Sequence, residues 1–172
     1  MSKHGKALVA MSGGIDSTMT AVLLHEEGWE VIGITMKTWD YATSGGSTKE
    51  TGCCSLDSIN DARQVAVKLG FHHFIVDIRE EFGDYVIDIK WNSLLRRADM
   101  LDCEFIATGH YGIINELEGR KYITRAKDTQ KDQSYVLWGL SQECLHRTRM
   151  PLGIYTKPQV RAMAAERGFD EL

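Results

Sequence analysis

Six residues, Ser12-Gly13-Gly14-Ile15-Asp16-Ser17, carry the clearest chemistry in the sequence. They follow an apolar run, Lys6–Met11, and open at once onto the helix-like stretch DSTMTAVLLHEEG. A strand, a tight glycine turn and a helix start together make an anion site. The first backbone N–H groups of a helix lack internal partners, and the helix dipole favours negative charge there. Gly13 and Gly14 permit a close backbone approach. Ser12, Ser17 and Thr18 add hydroxyl donors. Asp16 is the odd member, because a carboxylate beside a phosphate repels it. Two roles fit it: capping the helix, or ligating a Mg²⁺ ion that bridges to the phosphates. The turn lacks the lysine of the G-x-x-x-x-G-K-[ST] loop and does not match G-x-G-x-x-G.

Other chemistry-bearing residues are scattered. His110 follows Gly109 after an apolar run; it suits a hydrogen bond to a nucleotide, orientation of its loop, or plain packing. Of the four cysteines, Cys53 and Cys54 are adjacent, a spacing that disfavours a mutual disulfide. Metal binding, sulfur uptake and a plain structural role all fit them. Cys103 and Cys144 read as packing residues. Arg96-Arg97, Arg120-Lys121 and Arg125 with Lys127 read as solvated charge pairs, any of which suits a phosphate backbone.

Positioning the glycine turn requires a strand before it and a helix after it, and the periodicity supplies both. Lys6–Met11 reads as a buried strand, Asp16–Gly28 as a helix ended by glycine, and Glu30–Lys37 as a second strand. Residues 38–52 are polar and aperiodic, which implies a loop. Leu56–Gly70 is an amphipathic helix, His72–Ile78 a third strand, and a helical tract runs from about Glu80 to Leu101. Cys103–His110 is a fourth strand. Tyr111–Ala126 reads as a β-hairpin turning at Glu118-Gly119. Lys157–Gly168 is a final helix with Pro158 in its first turn. This alternation implies an α/β fold: a parallel, doubly wound, Rossmann-like sheet with helices on both faces. Ligands of such sheets sit at the carboxyl ends of the strands, here Ser12–Ser17, Met36–Trp39 and Thr108–Tyr111.

The 172 residues fit one domain, with 43% hydrophobic and 26% charged residues, as in an ordinary globular protein. A net charge of −4 argues against wholesale coating of nucleic acid but leaves room for a local basic groove. No apolar run suits a membrane span or a signal peptide, and the cysteine usage fits a reducing compartment, so a cytoplasmic protein is expected.

The segment SGGIDS resembles the PP-loop of the ATP pyrophosphatases, the adenine nucleotide alpha hydrolase-like superfamily. With GITMKTW, FIATGHYGII, DARQVAVKLG, KDQSYVLWGLSQECL and PLGIYTKPQVRAMA, the chain is similar along its length to the bacterial tRNA-specific 2-thiouridylases. The lysidine synthases and 2-thiocytidine enzymes of the superfamily carry an aspartate pair soon after the second glycine–histidine. Here Gly109-His110 is followed by Tyr111-Gly112-Ile113-Ile114. The resemblance implies that ATP and Mg²⁺ are used to adenylate the C2 oxygen of a tRNA wobble uridine, with persulfide sulfur then replacing it. It places Ala10, Met11, Ser12, Gly13, Gly14, Ile15, Asp16 and Ser17 on the ATP phosphates, and Met36 and Gly109 at the adenine and ribose. It places Lys131, Asp132 and Gln133 on the tRNA. Its partners are tRNA and a sulfur-donor protein, with no membrane.

The chain departs from that family in its cysteines. The family carries one in a loop before a helix beginning IKW and another beyond the region where this chain ends. Here the sequence runs directly through Asp88-Ile89 into IKWNSLL. The expectation is a PP-loop ATP-binding domain over 1–172, with the catalytic loop missing between 88 and 89 and the C-terminal domains absent after 172. No catalytic cysteine is then expected in the chain itself. The alternatives are an ATP- and tRNA-binding module without thiolation activity, and another PP-loop ligase.

Overall fold

The computed structural model describes residues 3–37, 56–78 and 86–169. Five parallel strands form its central sheet: β1 (Lys6–Ala10), β2 (Glu30–Lys37), β3 (His72–Asp77), β4 (Cys103–Ala107) and β7 (Thr148–Arg149). Their spatial order is β3-β2-β1-β4-β7. The chain winds outward from β1 in one direction through β2 and β3, then returns to place β4 on the other side of β1. That reversal puts the topological switch point between β1 and β4, at whose carboxyl ends doubly wound sheets take ligands.

Alternate residues of β1 feed two separate cores, as the period-two geometry of a strand requires. Ala7 and Val9 point into a layer with Met19 and Val22 of α1 (Ile15–Glu27), Ala62 and Val65 of α2 (Leu56–Leu69), and Val160 and Ala164 of α5 (Lys157–Glu166). Leu8 points the other way, against Trp91, Leu94, Leu95 and Ala98 of α3 (Val86–Met100) and Cys144 and Leu145 of α4 (Gln142–His146). On β4 a register shift opposite Lys6/Ala7 skips Glu104, so Cys103 and Phe105 fall in different cores.

The helix ends follow the sequence. Gly28 closes α1 in the left-handed region at φ 98°, donating its N–H to His25 O. Gly70 does the same for α2 at φ 75°. Thr156 starts α5, and Gln159 Oε1 accepts its backbone N–H at 2.9 Å, fixing the first turn ahead of Pro158. The hairpin is a separate two-stranded sheet, β5 (Ile113–Leu117) with β6 (Arg120–Thr124). Glu118 and Gly119 both have positive φ, 49° and 77°, the geometry of a two-residue hairpin turn. The elements not expected include the short strand β7 and two 3-10 turns, one over Ser134–Val136 and one over Pro151–Ile154 that leads into α5. The backbone of α3 runs as one helix through residues 88 and 89. Cys53 and Cys54 lie outside the described residues.

Candidate functional site: a glycine turn at the sheet's switch point

The turn after β1 is built to leave a helix end bare. Gly14 is the N-cap of α1 and offers no side-chain hydrogen bond, so the capping role for Asp16 is excluded; Asp16 lies inside the first turn. Gly13 sits at φ +81°, and a Cβ there would lie 2.1 Å from the Ser58 carbonyl oxygen of α2. Only glycine lets the chain turn this tightly against α2 while the first N–H groups of α1 face outward.

The two serines brace the turn from within. Ser17, almost fully buried, donates to Gly14 O at 2.9 Å and accepts the Ser12 N–H at 3.1 Å. Ser12 is exposed, with its hydroxyl 3.3 Å from that of Ser17. Thr18 is fully buried and its hydroxyl has no partner. The Met11 side chain is core. Its backbone N–H bonds Ile34 O at 2.8 Å, and its carbonyl accepts the Thr35 hydroxyl at 2.9 Å. Ala10 and Met36 pack at the margin of the second core, and Ile15 at the margin of the first.

The carboxyl end of β4 closes over this turn. A Cβ on Gly109 would lie 2.9 Å from both the Asp16 carbonyl carbon and the Ser17 nitrogen. Its missing side chain therefore lets the loop after β4 lie directly on the first turn of α1. Two residues further on, the buried Tyr111 donates its hydroxyl to Asp16 Oδ1 at 2.8 Å. Burial, and then the Asp16 carboxylate, push the Tyr111 pKa well above its usual value, so the phenol stays a donor. From the start of α5, Lys157 Nζ reaches both Asp16 oxygens, at 2.6 and 2.7 Å. Its backbone N–H donates to Asp128 Oδ2 at 2.8 Å. That bond first, with the N–H groups of Gln130 and Lys131, holds the Asp128 carboxyl below its usual pKa.

The KDQ stretch supports this loop. Gln133 clamps Tyr111 from both sides: Oε1 accepts the Tyr111 N–H at 3.1 Å, and the Gln133 N–H bonds Tyr111 O at 2.8 Å. Asp132 Oδ1 accepts from the Ala126 and Ser134 backbones, and Oδ2 from the Ser134 hydroxyl. Lys131 is exposed. The resemblance implied tRNA contacts for Asp132 and Gln133, and sequence reasoning missed what their side chains hold within the loop. It also missed Tyr111, Asp128 and Lys157, because no periodicity links Asp16 to a lysine 141 residues away.

His110 is partly buried, with Nδ1 2.9 Å from the Thr108 hydroxyl and its ring 5.4 Å from that of Trp91. Burial first, then Lys90, lower its pKa from 6.5 to about 4. A depressed histidine contributes stability that is complete above its unfolded pKa and is lost as pH falls from 6.5 towards 4. The native protein is expected to lose about 3 kcal/mol over that window. Comparing denaturation midpoints at pH 7 and pH 5 checks this, and His110→Gln should flatten that part of the pH dependence.

Among the described residues no group of three or more His, Cys, Asp or Glu could hold a metal ion. Asp16 is a lone carboxylate beside a bare helix end, which suits an ion carried mainly by phosphate oxygens and water. Cys103 and Cys144 are both buried and free, and burial pushes the Cys103 thiol up to about 11. Neither suits a nucleophilic role. No described helix is long and apolar enough to cross a membrane.

A parallel sheet that reverses at β1, with a glycine turn and a bare helix start at the reversal, defines an α/β nucleotide-binding domain of the PP-loop type. The chain belongs to the family described as the tRNA methyl transferase HUP domain, which matches residues 5–89 and 87–172. It is 61% identical to the tRNA-specific 2-thiouridylase MnmA of Amoebophilus asiaticus (strain 5a2), over 99% of this chain and 51% of that protein. It is also 61% identical to the protein of the same name from Cytophaga hutchinsonii, over 100% of this chain and 52% of the relative. The chain thus spans about half the length of the curated relatives it matches. A solved structure described as a predicted subunit of tRNA methyltransferase from Methanocaldococcus jannaschii shares the fold, with TM-score 0.51 and 21% identity. That match covers 95% of this chain and 75% of the other.

Proposed function

We propose that this chain is the ATP-binding, adenylating part of a tRNA 2-thiouridylase that works in the cytoplasm. The observation that carries the reading is the bare start of α1 behind Gly13, at the switch point of the sheet, in a chain 61% identical to relatives of that name. Bound Mg-ATP supplies the adenylyl group that makes the uridine C2 oxygen a leaving group: pyrophosphate departs first, and AMP departs with the old oxygen when sulfur takes its place.

The chain's own residues then have distinct tasks. The N–H groups of Gly13 to Asp16 hold phosphate oxygens as charge moves onto the pyrophosphate. Asp16 holds the metal. Met36, at the end of β2, packs on the adenine, and Gly109 keeps the ribose side close to the turn. Ala10, Met11, Ile15 and Ser17 shape the loop from behind, and Ser12 offers an exposed hydroxyl. Asp132 and Gln133 fix the loop that places Lys131 towards RNA. Tyr135 and Trp138, 72% and 86% exposed, stand in the same stretch, and exposed aromatics among cations suit unstacked bases of an RNA loop.

Sulfur handling belongs elsewhere in this reading. The buried Cys103 and Cys144 are poor acceptors. The family match divides at residues 87–89, and the Amoebophilus relative aligns over 191 residues against 172 here. Both support a segment of the relatives, absent from this sequence between Asp88 and Ile89, as the place of one sulfur-handling cysteine. A sulfur-donor protein would load it.

The test is AMP release from ATP on adding unmodified tRNA. The expected result is tRNA-dependent release of AMP and pyrophosphate, weakening steeply with salt as phosphate contacts are screened. ATP cleavage to ADP, or no response to tRNA, would overturn the reading.

A further inference from the structure

The glycine turn has no lysine of its own, yet one stands in front of it. Lys157 comes from α5, at the far end of the chain, and its ammonium meets both oxygens of Asp16 at 2.6 and 2.7 Å. Its side chain is 16% exposed and that of Asp16 is 33% exposed. A single partly exposed lysine–aspartate pair contributes only modest stability. This lysine is nonetheless held with care. Its backbone is tied to Asp128, Gln159 fixes the turn that begins its helix, and Tyr111 holds the same Asp16 oxygen from the other side. Helix α5 does not need the pair to stay in place. Val160 and Ala164 are fully buried in the first core, and Arg167 grips Glu26 of α1 at 2.7 and 2.9 Å.

We infer that Lys157 is the phosphate-binding cation of this site, with Asp16 its counter-ion only while nucleotide is absent. This rests on the nucleotide reading above. A triphosphate arriving with Mg²⁺ offers each member of the pair a stronger partner: the metal for the carboxylate, and phosphate oxygens for the ammonium. The glycine turn supplies N–H groups, and α5 supplies the positive charge that a Walker-type loop carries within itself. Pairing in the free protein keeps both charges compensated and already in position.

Calorimetric titration of the purified protein with Mg-ATP, Mg-pyrophosphate, pyrophosphate without metal, and adenosine tests this. Lys157→Met is expected to weaken ATP and pyrophosphate by ~10-fold or more, with adenosine affinity unchanged. Lys157→Arg should recover part of the loss. Asp16→Asn should move the other way for pyrophosphate without metal, binding it more tightly than the parent because the ammonium has been released. Unchanged pyrophosphate affinity in Lys157→Met, or an equal loss of adenosine, overturns the inference. So does Asp16→Asn with no gain. If the parent itself binds neither ATP nor pyrophosphate, the nucleotide reading fails first. Should Lys157→Met not fold, Lys157→Arg and Asp16→Asn decide.

Discussion

Asp16→Asn is expected to reduce tRNA-dependent AMP formation by roughly a thousandfold while leaving the fold intact. Asparagine keeps an oxygen for the Tyr111 hydroxyl, now 2.8 Å from Asp16 Oδ1, but cannot compensate a divalent ion. The lost pair with Lys157 is part-buried, with side chains 16% and 33% exposed, so its removal costs on the order of 1–2 kcal/mol, a shift of a few degrees in melting temperature. The variant should therefore melt near the parent temperature and fail at chemistry. Single-turnover AMP release and thermal denaturation, measured on the same preparation, separate the two effects. Near-parental AMP formation would remove Asp16 from the metal.

Gly13→Ala should fail in the opposite way, by losing both structure and binding. Its φ of +81° costs an L-residue about 1–2 kcal/mol. The new methyl would also lie 2.1 Å from the Ser58 carbonyl oxygen, a backbone atom of α2 that cannot swing aside. Either α2 shifts or the turn rebuilds, and a rebuilt turn no longer aims its N–H groups forward. A loss of several kcal/mol in denaturant unfolding is expected, with nucleotide affinity lost as well. Gly14→Ala is the control. It lies in extended backbone at φ −84°, and an added Cβ finds only Ser12 Oγ, at 3.8 Å. Equal effects from the two substitutions would mean that conformation at Gly13 is not what matters.

Much of the frame was legible in the sequence because it rests on local rules. Strand–helix alternation gave the parallel sheet, Gly28 and Gly70 marked helix ends, and Glu118-Gly119 marked the hairpin. The glycine turn was legible for the same reason, since a helix start after a strand needs few residues to declare itself. What stayed hidden depends on contacts across the fold. Strand β7 has only two residues and exists because β4 pairs with it. The bulge that turns Cys103 away from the Phe105 core shows only against β1. Asp132 and Gln133 stood out only through the resemblance, and their side chains are bound inside the loop around Tyr111. Lys157 looked like the ordinary start of a helix.

The distance along the chain between Asp16 and Lys157 also sets when the protein becomes competent. A ribosome that has made the glycine turn still has 141 residues to add before the lysine appears. At common rates of synthesis that is roughly 7 to 30 seconds. During that interval the nascent chain carries the turn with its carboxylate uncompensated, a poor host for a triphosphate. On the inference that Lys157 is the phosphate-binding cation, a complete anion site is thereby postponed until α5 has docked.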